Sequence, residues 1–139
     1  MLELNDLGKY RENNRIEAKR AQGGLPRSIW ETYSSFANTY GGVILLGVEE
    51  REEDKTFRSV HLPDPEGLAK EFRAAVNEPG VVSANVLRPG DVTVEESGGN
   101  RIVVIRVPRG TVVKDAATDE IICDMSSGED FVLCRGGNG

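Results

Sequence analysis

Three glutamates and six basic residues carry most of the chemistry this sequence has to offer. Glu12, Glu17 and Glu49 are carboxylates of the kind that hold a divalent cation such as Mg²⁺ through oxygen ligands. The five-residue step from Glu12 to Glu17 matches neither the period of a helix face nor that of a strand face. Their side chains converge only if Asn13 and Asn14 turn the chain between them. Glu49 follows the apolar run Val43 to Val48, and the carboxyl end of a strand is where open α/β sheets place ligand sites. The bland arrangement of the same residues pairs Glu17 with Arg15 or Lys19 and leaves Glu49 to Asp54 as a solvated turn.

The basic set is Lys9, Arg11, Arg15, Lys19, Arg20 and Arg27. Within residues 1–30 it stands against Glu3, Asp6, Glu12 and Glu17, six positives to four negatives. This is the segment that would face a phosphate backbone. The remainder is acidic, most densely at Glu49-Glu50-Arg51-Glu52-Glu53-Asp54. The net charge of −6 excludes a uniformly basic nucleic-acid surface. His61, the sole histidine, precedes Leu62-Pro63 with no acid or nucleophile beside it, and reads as a loop residue. Cys123 and Cys134 fall in apolar segments and read as buried thiols. Two cysteines make no disulfide framework, which points to a reduced, cytoplasmic setting. The sequence has no P-loop, Rossmann glycine fingerprint, zinc-spaced Cys/His set or Gly-x-Ser-x-Gly elbow. Its longest apolar stretch, Val43 to Leu46, is far short of a membrane span, and no secretory signal is visible at the start.

These residues must be positioned by an α/β domain of the α+β kind: a mixed, mainly antiparallel sheet of about six strands packed by two principal helices. Leu2, Leu4, Leu7 and Tyr10 could line a short helix ending near Asn13-Asn14. Arg15 to Lys19 alternates at the period of a half-buried strand, with Ile16 and Ala18 facing the core. Pro26 suits the first position of a helix that buries Ile29, Tyr33, Phe36 and Ala37. Asn38, Gly41 and Gly42 end that helix and turn the chain. Val43 to Val48 reads as a buried interior strand, apolar on both faces and broken only by Gly47. Asp64-Pro65 reads as an N-cap and first helical position, opening a helix with Leu68, Phe72, Ala75 and Val76 inside. Residues 81–87 read as extended. Asp91 to Glu96 and Arg101 to Val107 form a hairpin across Ser97-Gly98-Gly99-Asn100. Short strands are expected at Thr56 to Val60, Glu120 to Cys123 and Phe131 to Arg135. Without repeats or linkers, residues 1–139 read as a single domain.

The segment Glu12-Asn-Asn-Arg-Ile-Glu17-Ala-Lys19, followed by Phe36-Ala-Asn-Thr-Tyr-Gly-Gly42-Val-Ile-Leu-Leu-Gly-Val48, resembles the Schlafen-type AlbA-like DNA-binding family. That family is also described as a divergent AAA group and occurs in RecG-like bacterial transcriptional regulators. The resemblance is dense over residues 12–49 and looser onward to Arg135-Gly136. It implies a DNA-binding module, with RNA as the alternative ligand, no membrane and no cofactor. It also implies the N-terminal part of a longer regulator whose C-terminal domains are absent here. In eukaryotic Schlafen relatives similarly placed acids cleave nucleic acid, so the resemblance raises a second reading, a Mg²⁺-dependent nuclease using Glu12, Glu17 and Glu49. The sequence lacks the zinc ligands of those relatives, and its third acid lies in an acidic run. A third reading, a protein-interaction or homo-oligomerisation module, draws on the acidic balance and an exposed sheet edge.

Overall fold

The alternating stretch after Arg15 and the apolar run after Gly41 become neighbouring strands. The computed structural model describes residues 4–9, 15–82 and 84–109. A 3-10 helix, Leu4–Lys9, precedes β1, Ile16–Lys19. The crossover after β1 carries α1, Ile29–Ala37, and leads into β2, Gly42–Leu46. The strands are parallel, with Ile16 opposite Val43 and Lys19 opposite Leu46. Next come β3, Val48–Glu50, β4, Phe57–Ser59, and α2, Pro65–Ala75. A hairpin of β5, Val92–Ser97, and β6, Asn100–Val107, completes the described elements. β6 lies antiparallel to β2, giving a four-stranded sheet of order β1-β2-β6-β5.

The interior position of β2 explains why its sequence is apolar on both faces. Ile44 and Leu46 turn toward the helices, where they join Ile29, Tyr33, Phe36, Phe72, Val103 and Ile105. Leu45 turns the other way, into a smaller core with Leu7, Val48, Phe57, Ile102 and Val104. Ile16 and Ala18 pack against this second core, so β1 does alternate, and Glu17 and Lys19 fall on its helix-facing side. Trp30 of α1 stacks on Phe72 of α2, with ring centres 4.9 Å apart and planes 9° from parallel. Tyr33 meets both rings edge-on, and each such pair adds about 0.5–1.5 kcal/mol beyond its buried area.

Asp64 caps α2 as expected: its Oδ1 accepts from the Gly67 N–H at 3.0 Å, and Pro65 opens the helix. Other expectations need correcting. α1 begins at Ile29; Pro26 instead offers its carbonyl to the Ile29 N–H at 3.1 Å, in the turn before the helix. The run Val43 to Val48 is not one strand. Gly47 sits at φ +90°, where a Cβ would come within 2.8 Å of the Leu62 side chain. This kink sends β3 into a separate two-stranded sheet with β4, so the six strands divide into four and two. The extended reading of residues 81–87 is not among these; of the residues described there, Val82 makes an isolated bridge. The Tyr33 hydroxyl takes the ladder's place there, donating to the Ala84 carbonyl and accepting from the Val86 N–H, both at 2.9 Å. The expected strands at Glu120 to Cys123 and Phe131 to Arg135, both cysteines, and the turn at Asn13-Asn14 lie outside the described residues.

Candidate nucleic-acid interface

The carboxyl end of the parallel β1–β2 pair gathers most of the described basic residues singled out above. Lys19 ends β1 on its helix-facing side, where Nζ donates to the Ser28 hydroxyl at 3.0 Å and stands 3.7 Å from Glu17 Oε2. Ser28 is the residue just before α1, and its hydroxyl makes no cap to the helix. The lysine side chain is only 13% exposed. It joins strand to helix rather than projecting into solvent.

Arg20 is the next residue, and its side chain is 67% exposed. Its Nε lies 3.0 Å from Glu49 Oε1. The other carboxylate oxygen, Oε2, accepts from Nε of Arg58, the residue directly opposite Glu49 in the β3–β4 ladder. Glu49 is 12% exposed and Arg58 64%. One largely buried carboxylate thus orients two arginines that stand in solvent. Each uses Nε for this contact, and a guanidinium has further N–H donors for another partner. Arg27 is exposed on the turn before α1, and Arg15 is exposed at the opposite end of β1.

The turn joining β3 to β4 brings negative charge to the same place. Arg20, Glu49 and Arg58 share a groove of about 310 Å³ with Glu50, Arg51, Glu52 and Glu53. Asp54 closes the turn by accepting from the Thr56 hydroxyl at 2.6 Å and from its N–H at 3.1 Å. Those two bonds hold its carboxyl below the usual carboxylate range, with help from the Arg51 charge. Counting charge along residues 1–30 therefore overstates how basic this region is, because the acidic run folds back beside it.

Of the three glutamates, Glu17 and Glu49 are kept apart. Glu17 stands opposite Ile44, five positions before Glu49 and on the far side of the Gly47 kink. Its groove, of about 370 Å³, is shared with Glu31, Phe36 and Tyr40. Among the described residues no three Asp, Glu, His or Cys side chains are grouped to hold a metal ion. Glu12 and Arg11, and the side chain of Lys9, lie outside what the structure describes.

Asn38 and the glycine pair have structural roles. Asn38 is fully buried at the end of α1, with its Nδ2 3.3 Å from the Ser34 hydroxyl. Gly41 sits at φ +80°, and a Cβ there would be 2.7 Å from the Val107 carbonyl oxygen. A Cβ on Gly42 would lie 2.6 Å from the Phe36 ring. Sequence reading missed Arg58. The signal was present: closing the turn so that Glu50 faces Phe57 necessarily sets Glu49 against Arg58.

A family model described as Schlafen, AlbA_2 matches residues 12–130. The chain belongs to the Schlafen AlbA_2 family. A solution NMR structure of the N-terminal domain of an ATP-dependent DNA helicase RecG-related protein from Nitrosomonas europaea is similar to this AlbA_2 domain. The identity is 33%, the TM-score 0.60, and the match covers 76% of this chain and 70% of that one. Shorter likenesses link the AlbA_2 chain to proteins named GTPase Obg. The one from Anaeromyxobacter sp. strain K is 58% identical over 38 residues, and the one from Prosthecochloris aestuarii 53% over 38 residues. Each match takes in 27% of this chain but only 11% and 12% of those relatives. No helix among the described residues is long and apolar enough to cross a membrane.

Proposed function

We propose that this AlbA_2 domain binds nucleic acid, DNA in the first place, as the docking or sensor module of a prokaryotic transcriptional regulator. The observation that carries the reading is the double use of Glu49. Its carboxylate holds Arg20 and Arg58 side by side at the carboxyl end of the β1–β2 pair, where ligands approach open α/β sheets. Exposed arginines fixed at one end are suited to phosphate, which planar guanidinium groups bind through paired N–H donors. Family membership and the likeness to a DNA-helicase-related N-terminal domain support the same ligand class. The Obg likeness adds no nucleotide chemistry, since the sequence has no Gly-x-x-x-x-Gly-Lys-Ser/Thr loop.

The test is a salt series of binding to duplex DNA and to RNA, with the wild type and the Arg20→Ala/Arg58→Ala double variant. The double variant should bind more weakly whatever the sequence, with a salt slope flatter by about two. Unchanged affinity and slope would remove this end of the sheet from the account. The nuclease reading would require Glu49 to release both arginines and Glu17 to leave Lys19, so that both face one ion.

A further inference from the structure

Tyr40 is the one large hydrophobic side chain left exposed among the described residues, at 72%. It lies at the opposite end of the sheet from Glu49, just after α1. Gly41 then packs so closely on β6 that its Cβ position is 2.7 Å from the Val107 carbonyl oxygen and 3.4 Å from the Arg109 nitrogen. The Arg109 backbone therefore passes beside Gly41, the residue after Tyr40. On the other side of β2, the Arg15 carbonyl accepts from the Val43 N–H at 2.8 Å. Arg15 and Arg109 are both exposed; Arg15 immediately precedes β1 and Arg109 lies two residues past β6, the strands either side of β2. Below the ring lies the groove of about 370 Å³, lined by Glu17, Glu31, Thr32, Ser35, Phe36 and Thr39 besides Tyr40 itself.

We infer that this end of the domain takes an unpaired nucleotide of single-stranded nucleic acid, its base stacked on Tyr40 and its edge turned toward Glu17 and Glu31. The inference rests on the nucleic-acid reading above and extends it to a second contact. An exposed tyrosine at an end of the sheet that also carries exposed arginines is the combination that single-strand binders use, because every base offers a π-face. Bases inside a duplex are stacked already and cannot use it. Arg15 and Arg109 have partners within the protein, and phosphate would have to share their guanidinium groups, each of which carries five N–H donors. The carboxylates give the groove its selectivity. They repel phosphate, so the backbone must pass over the arginines, and they accept from exocyclic amino groups as acidic side chains do from cytosine N4. Adenine, cytosine and guanine carry such an amine; thymine presents a carbonyl there, which a carboxylate disfavours.

The experiment measures fluorescence anisotropy of short labelled oligo(dA), oligo(dC) and oligo(dT) and of a duplex, with wild type, Tyr40→Ala, Tyr40→Phe and Glu17→Gln/Glu31→Gln. Oligo(dA) and oligo(dC) should bind more tightly than oligo(dT), and the Glu17→Gln/Glu31→Gln variant should narrow that gap. Tyr40→Ala should weaken the single strands about 5-fold or more, leave duplex affinity as in the wild type, and be rescued by Tyr40→Phe. Single-strand binding that Tyr40→Ala leaves intact, or oligo(dT) bound as tightly as oligo(dC), overturns this inference alone. A wild type that binds no nucleic acid overturns both readings.

Discussion

Glu49 and Arg58 face each other across the β3–β4 hairpin, and the arginine donates through Nε to Oε2 of the glutamate. The pair is lopsided: the carboxylate is sheltered while the guanidinium stands in water. Water and salt screen most of such an attraction. A double-mutant cycle with Glu49→Ala and Arg58→Ala should therefore give a coupling of only about 0.2–1 kcal/mol in urea titrations. A coupling several times larger would make the pair a pillar of the fold rather than an arrangement of its surface.

Glu17→Gln separates binding from catalysis. Removing a negative charge near Lys19 should leave duplex affinity unchanged or slightly raised. Mg²⁺-dependent cleavage of DNA or RNA by the wild type, lost in Glu17→Gln, would promote the nuclease instead. A gel assay with and without Mg²⁺ decides it.

Tyr33 predicts how the fold meets alkali. Burial pushes its hydroxyl from 10.0 up to about 12, against the smaller opposing effect of the Val86 N–H. Its folded-state value is raised, so its contribution is whole below pH 10 and disappears as the pH climbs through about 12. Stability should fall across that window. Tyr33→Phe should flatten that fall, while costing about 1–3 kcal/mol at neutral pH because the Ala84 carbonyl and Val86 N–H lose their partner. Chemical denaturation at pH 7 and across pH 10–12 reads both effects.

Two glycines make a paired test of packing. At Gly42 an added methyl meets the Phe36 ring, whereas at Gly80 it meets nothing within 4 Å. Gly42→Ala should destabilise by about 1–3 kcal/mol through overpacking. Gly80→Ala should stay within about 0.5 kcal/mol of the wild type. Thermal melts of the two variants would differ little if the β2 entrance can relax.

The sequence disclosed those elements whose pattern and termini agree. β1 alternates, α2 opens with Asp64-Pro65, and the β5–β6 hairpin brackets its glycines. It marked Gly47 as a gap in an apolar run but concealed the change of sheet there, because a strand apolar on both faces has no period from which such a change could be read. It held no sign that the Ala84 carbonyl and the Val86 N–H share one tyrosine hydroxyl. The basic set was legible as a list and only partly as a surface. Lys19 turned inward to Ser28, Arg58 joined from a distant strand, and the acidic turn returned beside Arg20. Those rearrangements depend on which strands neighbour one another, which charge counted along the chain does not encode.

Gly47 makes a joint of what would otherwise be one strand. Upstream of it β2 is clamped between β1 and β6; downstream, β3 leaves for another sheet and carries Glu49 and Arg58 with it. Two backbone bonds brace the joint, from the Gly47 N–H to the Lys19 carbonyl at 2.9 Å and from the Val60 N–H to the Gly47 carbonyl at 2.7 Å. Leu62 blocks it from the side. A load applied to Arg58 is thus passed through Gly47 to an interior strand of the larger sheet, and through Lys19 to the start of α1. Whatever grips that arginine also holds the handle of the core.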